Sequence, residues 1–328
     1  MRGARLRKVQ AVHRRANKTG ATTVNKAARF VAVAALVLGT TACQAPPAGT
    51  DGDLTDDWRP LAAPTFEVPD VGQCLKSEPR SPFESHFYRA TPIACDAQHA
   101  LEVVLVGTVE GPAAAAAAPP EPGSAGYQAA YAACGDAADD YVGGDWHDGL
   151  LGIDVQLPTK TPWGGGQRTY VCTVYGSATG SGMMALRKGS LKGALAGAAP
   201  SALHCLEVIA EERSDGFYQH MSAMNPIDCA QPHGAEYTGS VVVPGTTLPA
   251  DDKLHTMMAD ACRAKEAAFL GLTQSQLKSR SDVQVAWYNM SQNHWQSGDH
   301  HERCFVTVPY KHPVHASLKG LGQAPLPA

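Results

Sequence analysis

Apolar and polar positions follow the same succession twice along the chain. Leu101 to Val109 is an apolar, β-branched run, and Glu236 to Val243 is its counterpart; each predicts a strand. Tyr127, Tyr131, Cys134 and Ala138 fall at helical spacing and predict a helix over Tyr127 to Tyr141. Leu254, Met258, Ala261, Cys262, Ala268 and Phe269 repeat that pattern further on, so each helix turns a cysteine toward a core. Two extended segments close each set, Gly152 to Leu157 with Arg168 to Tyr175, then Val283 to Met290 with Arg303 to Val308. The order strand, strand, helix, strand, strand predicts an α+β protein. It holds two homologous small domains, each an antiparallel sheet with one packed helix. Pro112 to Gly126, an Ala run between prolines, reads as a mobile loop. Residues 177–200, rich in Gly, Ala and Ser, read as the link, and Gln323 to Ala328 as a frayed end.

Cysteine spacing sharpens the duplication. Cys74, Cys95, Cys134 and Cys172 match Cys205, Cys229, Cys262 and Cys304 at offsets of 131, 134, 128 and 132 residues. Cys95-x3-His99-x2-Glu102 recurs as Cys229-x3-His233-x2-Glu236. Trp163 and Trp295 each stand nine residues before the last cysteine, with Gly166 and Gly298 three after the Trp. Ser190-Leu-Lys-Gly193 recurs as Ser317-Leu-Lys-Gly320. Four cysteines per copy allow three connectivities. We favour first with second and third with fourth: Cys74–Cys95, Cys134–Cys172, Cys205–Cys229 and Cys262–Cys304. The second cysteine leads into a β run that can pair beside the strand bearing the first, and the third lies on a helix that must dock onto the last strand. Each bridge would stabilise by roughly 3–4 kcal/mol. A structural zinc site is the rival, but short Cys-x2-Cys spacing is missing.

The start of the chain reads as an address. Residues 1–29 hold nine Lys or Arg and no acid, and the uncharged run Phe30 to Thr40 follows, then Thr41, Ala42 and Cys43. That run falls short of the ~20 residues of a permanent spanning helix. Its end resembles the lipobox of bacterial lipoproteins, which implies lipidation at Cys43, although Thr40 stands where Leu is usual. Ordinary cleavage after Ala42 is the alternative. The expected division is 1–43 signal peptide, 44–70 Pro-rich acidic tether, 71–195 first repeat, 201–322 second repeat and 323–328 tail. Beyond residue 29 the chain holds 18 basic against 31 acidic residues, a poor match to phosphate backbones, so no nucleic-acid partner is expected.

Gly72-Gln-Cys74, the Cys-x3-His-x2-Glu element, the helical Cys and the Trp-x2-Gly leading to a last Cys together resemble the septum formation family. That is an actinobacterial group of exported or membrane-attached domains. The resemblance covers about 71–193 and again 205–320, and it implies a link to cell division without naming an activity. The second copy departs in having Leu203-His204 before Cys205, and Gly298-Asp-His300 where the first has Gly166-Gln-Arg168. If Arg168 makes a functional contact, the second copy has lost it.

Candidate chemistry is sparse. His99 with Glu102, and His233 with Glu236, are residue types that bind metals or move protons. On a strand, however, i and i+3 face opposite sides, so the pair should not converge; hydrogen bonds at the strand entry are the plainer role. Trp163 and Trp295 are either core residues or stacking platforms for sugar rings. His294, His300, His301, His312 and His315 crowd the C-terminal part and could hold Zn²⁺ or Ni²⁺ loosely. Ser275-x-x-Lys278 lacks the partner motifs of penicillin-binding enzymes. The reading is therefore a non-catalytic envelope lipoprotein, with no cofactor and no resident metal. It would be tethered to the membrane by its lipid and bind an envelope protein or peptidoglycan. The alternative is a metal-binding envelope protein or metal-dependent enzyme using the histidines.

Overall fold

The computed structural model describes residues 66–76, 91–179, 184–288 and 291–327. The expected signal segment, Cys43 and most of the expected tether lie outside the described residues. Two five-stranded antiparallel sheets dominate. In the first, β1 (Cys74–Lys76), β2 (Thr91–Ile93), β3 (Leu101–Thr108), β4 (Leu151–Gln156) and β5 (Thr169–Gly176) lie in the order β2-β1-β3-β5-β4. In the second, β6 (Cys205–Glu212), β7 (Tyr218–Ile227), β8 (Ala235–Val242), β9 (Gln284–Trp287) and β10 (His301–Thr307) repeat it as β7-β6-β8-β10-β9. The α+β architecture with two similar sheets is as the sequence implies. Each sheet also has a strand that the sequence reading lacked, β2 or β7. Neither Thr91-Pro-Ile93 nor the Met- and Asn-containing β7, with Pro226, carries a β-branched run.

The helices are α1 (Gly111–Ala114), α2 (Ala125–Val142), α3 (Lys160–Gly164), α4 (Asp251–Leu270), α5 (Gln274–Leu277) and α6 (Gln292–Ser297). Helix α2 buries Tyr127, Ala130, Cys134, Ala138 and Val142, a stripe at three- and four-residue spacing. Ser124 caps its start and Gly143 ends it in the left-handed conformation. That stripe packs with Val104, Ile153, Val155, Trp163, Cys172 and Leu191. Helix α4 buries Met258, Cys262, Ala267 and Leu270 in the same manner. The bridges are Cys74–Cys95, Cys134–Cys172, Cys205–Cys229 and Cys262–Cys304, with Cα atoms 5.2–5.3 Å apart. One bridge per half therefore ties the long helix to its last strand, and the other ties the first strand to the turn before β3 or β8.

The segments expected as a mobile loop, a link and a frayed end are packed. Within Pro112 to Gly126, α1 forms a helical turn, and Arg168 donates to the Ala114 carbonyl at 2.6 Å. In the presumed link, Leu191 is fully buried and Arg187 pairs backbone-to-backbone with His99. At the C-terminal end, Arg280 donates to the carbonyls of Gly322 and Ala324, and Leu326 packs on the second core. In each case a buried apolar residue or an arginine fork supplies what the small-residue composition concealed.

The halves meet at a 3-10 turn, Trp146–Asp148. Arg303 of β10 donates to the carbonyls of His147, Gly149 and Leu151 at 2.7, 3.0 and 3.1 Å. Tyr237 of β8 donates to Asp148, and Gly123 N–H to the Gln296 carbonyl at 2.7 Å.

Candidate functional site

His99 and Glu102 do meet, contrary to the strand argument. His99 sits in a bridge two residues before β3 begins, so the chain bends between them and strand alternation does not yet apply. Its Nε2 lies 3.2 Å from Glu102 Oε1 and its Nδ1 3.0 Å from the Ala97 carbonyl. His233 repeats this with Glu236 at 3.1 Å and the Gln231 carbonyl at 2.8 Å. Carbonyl and carboxylate oxygens only accept, so the ring bridges both when each nitrogen carries a proton. For His233, burial opposes the charge, but the Glu236 carboxylate and the Gln231 carbonyl outweigh it and raise the imidazole above its ordinary value.

The recurring Ser-Leu-Lys-Gly explains how the buried glutamates are tolerated. Glu102 accepts from Leu191 N–H at 2.7 Å, from the Ser190 hydroxyl at 2.7 Å and from the Tyr141 hydroxyl at 3.0 Å. Glu236 accepts from Leu318 N–H at 2.7 Å and the Ser317 hydroxyl at 2.7 Å. An ionised carboxylate out of water needs such donors, and here they staple the segment after the last strand to the start of β3 or β8. Helix register aligns Phe269 with Tyr141, counting from the bridged Cys262 and Cys134, so the second lock lacks the phenol. Phe269, Glu236, Ser317, Lys319, His204 and the Cys205–Cys229 bridge instead line a shallow cleft of about 270 Å³.

Each lock also places a cysteine sulfur beside the His and Glu, because Cys74 pairs with Glu102 and Cys205 with Glu236 across neighbouring strands. Those sulfurs are bound in disulfides and the carboxylates already accept from neighbouring donors, so the locks are arranged as structure, not as metal seats.

Trp163 is buried, with its indole N–H on the Ala116 carbonyl at 2.8 Å. Arg168 lies over that indole, 4.0 Å from its centroid, and donates to the carbonyls of Ala114, Trp163 and Gln167. Trp295 is buried too, and His300 stacks on it at 3.6 Å in Arg168's place. Both tryptophans are core residues, so the sugar-platform reading falls.

The five C-terminal histidines do not converge. His300 is on Trp295, while His312 and His315 are exposed and belong to no group of ligand-type residues among those described. His301 instead meets His147 and Asp299 at the seam between the halves. The sequence reading passed over His147 and met Asp299 only as part of the Gly298-Asp-His300 departure, because a contact between the halves leaves no local pattern.

Comparison with known families decides the kinship: the septum formation profile matches residues 71–304. The chain belongs to the septum formation family. The matched stretch runs from just before β1 to Cys304, within β10, so it takes in all four bridges and every strand but the end of β10. The expectation had set each half against the family by itself. No curated protein and no solved structure matches the chain. Among the described residues, no helix is long and apolar enough to cross a membrane. The four disulfides of this septum formation protein are the covalent chemistry of an oxidising compartment.

Proposed function

We propose that this septum formation protein is a non-catalytic binding module on the outer face of the cytoplasmic membrane. It is anchored by lipid at Cys43, and it engages an envelope protein or peptidoglycan during cell division. The observation that carries the reading is the fate of the two recurring His–Glu pairs. These pairs recur in both halves, and both are committed to locking the fold. Family membership supports the link to division, and the bridges support the compartment. A pair of linked halves would raise avidity if each contacts the same polymer.

The test is photo-crosslinking in dividing cells, with the probe placed at exposed positions such as Ile209 and Val242. Recovery of one division protein or of glycan-bearing peptides in a position-dependent manner is expected. Position-independent capture of abundant neighbours would overturn the proposal.

A further inference from the structure

We infer that His147, Asp299 and His301 form a divalent-cation site, best matched to Zn²⁺, that clamps the two halves of the protein together. The three donor atoms lie within 4.8 Å of one another. The fold brings them from far apart in sequence. His147 comes from the 3-10 turn of the first half. Asp299 and His301 flank the start of β10, just after Gly298 ends α6 with φ of 96°. The two imidazoles stack with centroids 3.9 Å apart and planes at 27°, so both present an edge to one carboxylate oxygen.

The spacing admits an ion, while Asp299 Oδ1 also accepts from the His301 backbone N–H at 3.0 Å. His147 Nε2 and His301 Nδ1 each stand 3.3 Å from Asp299 Oδ1. Charge-assisted N–H···O bonds usually settle at about 2.7–2.9 Å, and His147 Nδ1 meets Asp145 at 2.6 Å in the same cluster. Around a tetrahedral Zn²⁺ with bonds of about 2.0–2.1 Å, neighbouring donor atoms are separated by roughly 3.3–3.4 Å. The His–Asp separations have that length.

The surroundings fit as well. Asp145 accepts from the far nitrogen of His147, fixing the tautomer that leaves Nε2 free to ligate. Tyr131 donates to the other oxygen of Asp299 at 3.3 Å, orienting the carboxylate. Asp299 is buried, with 9% of its side chain exposed, and its Oδ1 faces both imidazole nitrogens. The His301 side chain is 35% exposed, which leaves a route for the ion and a water as fourth ligand. Two neutral imidazoles and one carboxylate suit a borderline cation better than Mg²⁺ or Ca²⁺, which prefer oxygen ligands.

The experiment is titration of the intact, disulfide-bonded chain with Zn²⁺ against a chromophoric competitor, after chelator treatment. One equivalent should bind, with the imidazole resonances of His147 and His301 shifting in NMR spectra and the other histidines unmoved. His301→Ala should weaken binding by at least about 10-fold, while exposed His312→Ala leaves it unchanged. Sub-stoichiometric binding, or equal loss from His312→Ala, would overturn the inference and leave the cluster a hydrogen-bonded staple. If His301→Ala does not fold, the NMR shifts in the unaltered protein decide alone.

Discussion

Replacing Glu102 with Gln keeps the shape of the side chain and removes its charge, so it isolates what the buried carboxylate does. The carboxylate is fully buried and accepts from Leu191 N–H, the Ser190 hydroxyl and the Tyr141 hydroxyl while facing His99 Nε2 at 3.2 Å. Gln offers one acceptor oxygen and turns an N–H donor toward groups that are themselves donors. Each charge-assisted bond is worth about 1.5–3 kcal/mol, and breaking a buried charge cluster costs about 3–5 kcal/mol once non-additivity is allowed for. Glu102→Gln should therefore destabilise by about 3–5 kcal/mol, a large share of an ordinary domain's stability. Tyr141→Phe, which makes the first lock resemble the second, should lose about 1.5–3 kcal/mol. Glu236→Gln should cost less than Glu102→Gln, because Phe269 supplies no hydroxyl there. Urea unfolding of the disulfide-intact protein at neutral pH gives the three values, and hydrogen exchange at the Leu191 amide localises the effect. If Glu102→Gln stays within about 0.5 kcal/mol of the parent, the lock contributes nothing and the reasoning fails.

Stability should fall as pH rises from about 5 to 9. Burial pushes Glu266 up to about 7, tempered by Arg263, and Glu302 up to about 8, aided by Asp299 and tempered by Arg303. Carboxyls with raised folded values bind more protons folded than unfolded, so their contribution is whole below the ordinary 4.5 and lost through 7 to 8. His233, also raised, acts in the same direction, and the lowered His294 opposes them. The urea midpoint should drop across that range and Glu302→Gln should flatten the drop; a rising midpoint contradicts the assignment. Arg303→Ala strips three carbonyls of the first half of their shared donor, a loss of about 2–4 kcal/mol. It should split a single thermal transition into two, whereas one unchanged transition would mean the seam is not coupled through Arg303.

Much of this was legible because duplication repeats its own constraints. Constant offsets between cysteines marked equivalent positions, and helical spacing around Cys134 and Cys262 showed which faces turn inward. The Trp-to-Cys spacing marked equivalent positions but left core and stacking platform open, and burial of Trp163 and Trp295 decides for core. Two kinds of information stayed hidden. The recurring Ser-Leu-Lys-Gly was visible, but its task, gripping a carboxylate 81–89 residues earlier, is a long-range contact without a local pattern. The seam was hidden more deeply, because matching the halves to each other draws attention to what they share. Contacts between halves are made by what differs: His147, Asp299 and Arg303 are each single in kind.

Whether the scaffold is bridged and exported can be read from mass spectrometry of the native, unreduced protein isolated from the cell envelope. Four intact bridges, Cys74–Cys95, Cys134–Cys172, Cys205–Cys229 and Cys262–Cys304, are expected on a chain whose first residue is a lipid-bearing Cys43. Eight free thiols, or a chain that keeps residues 1–42, would contradict that expectation.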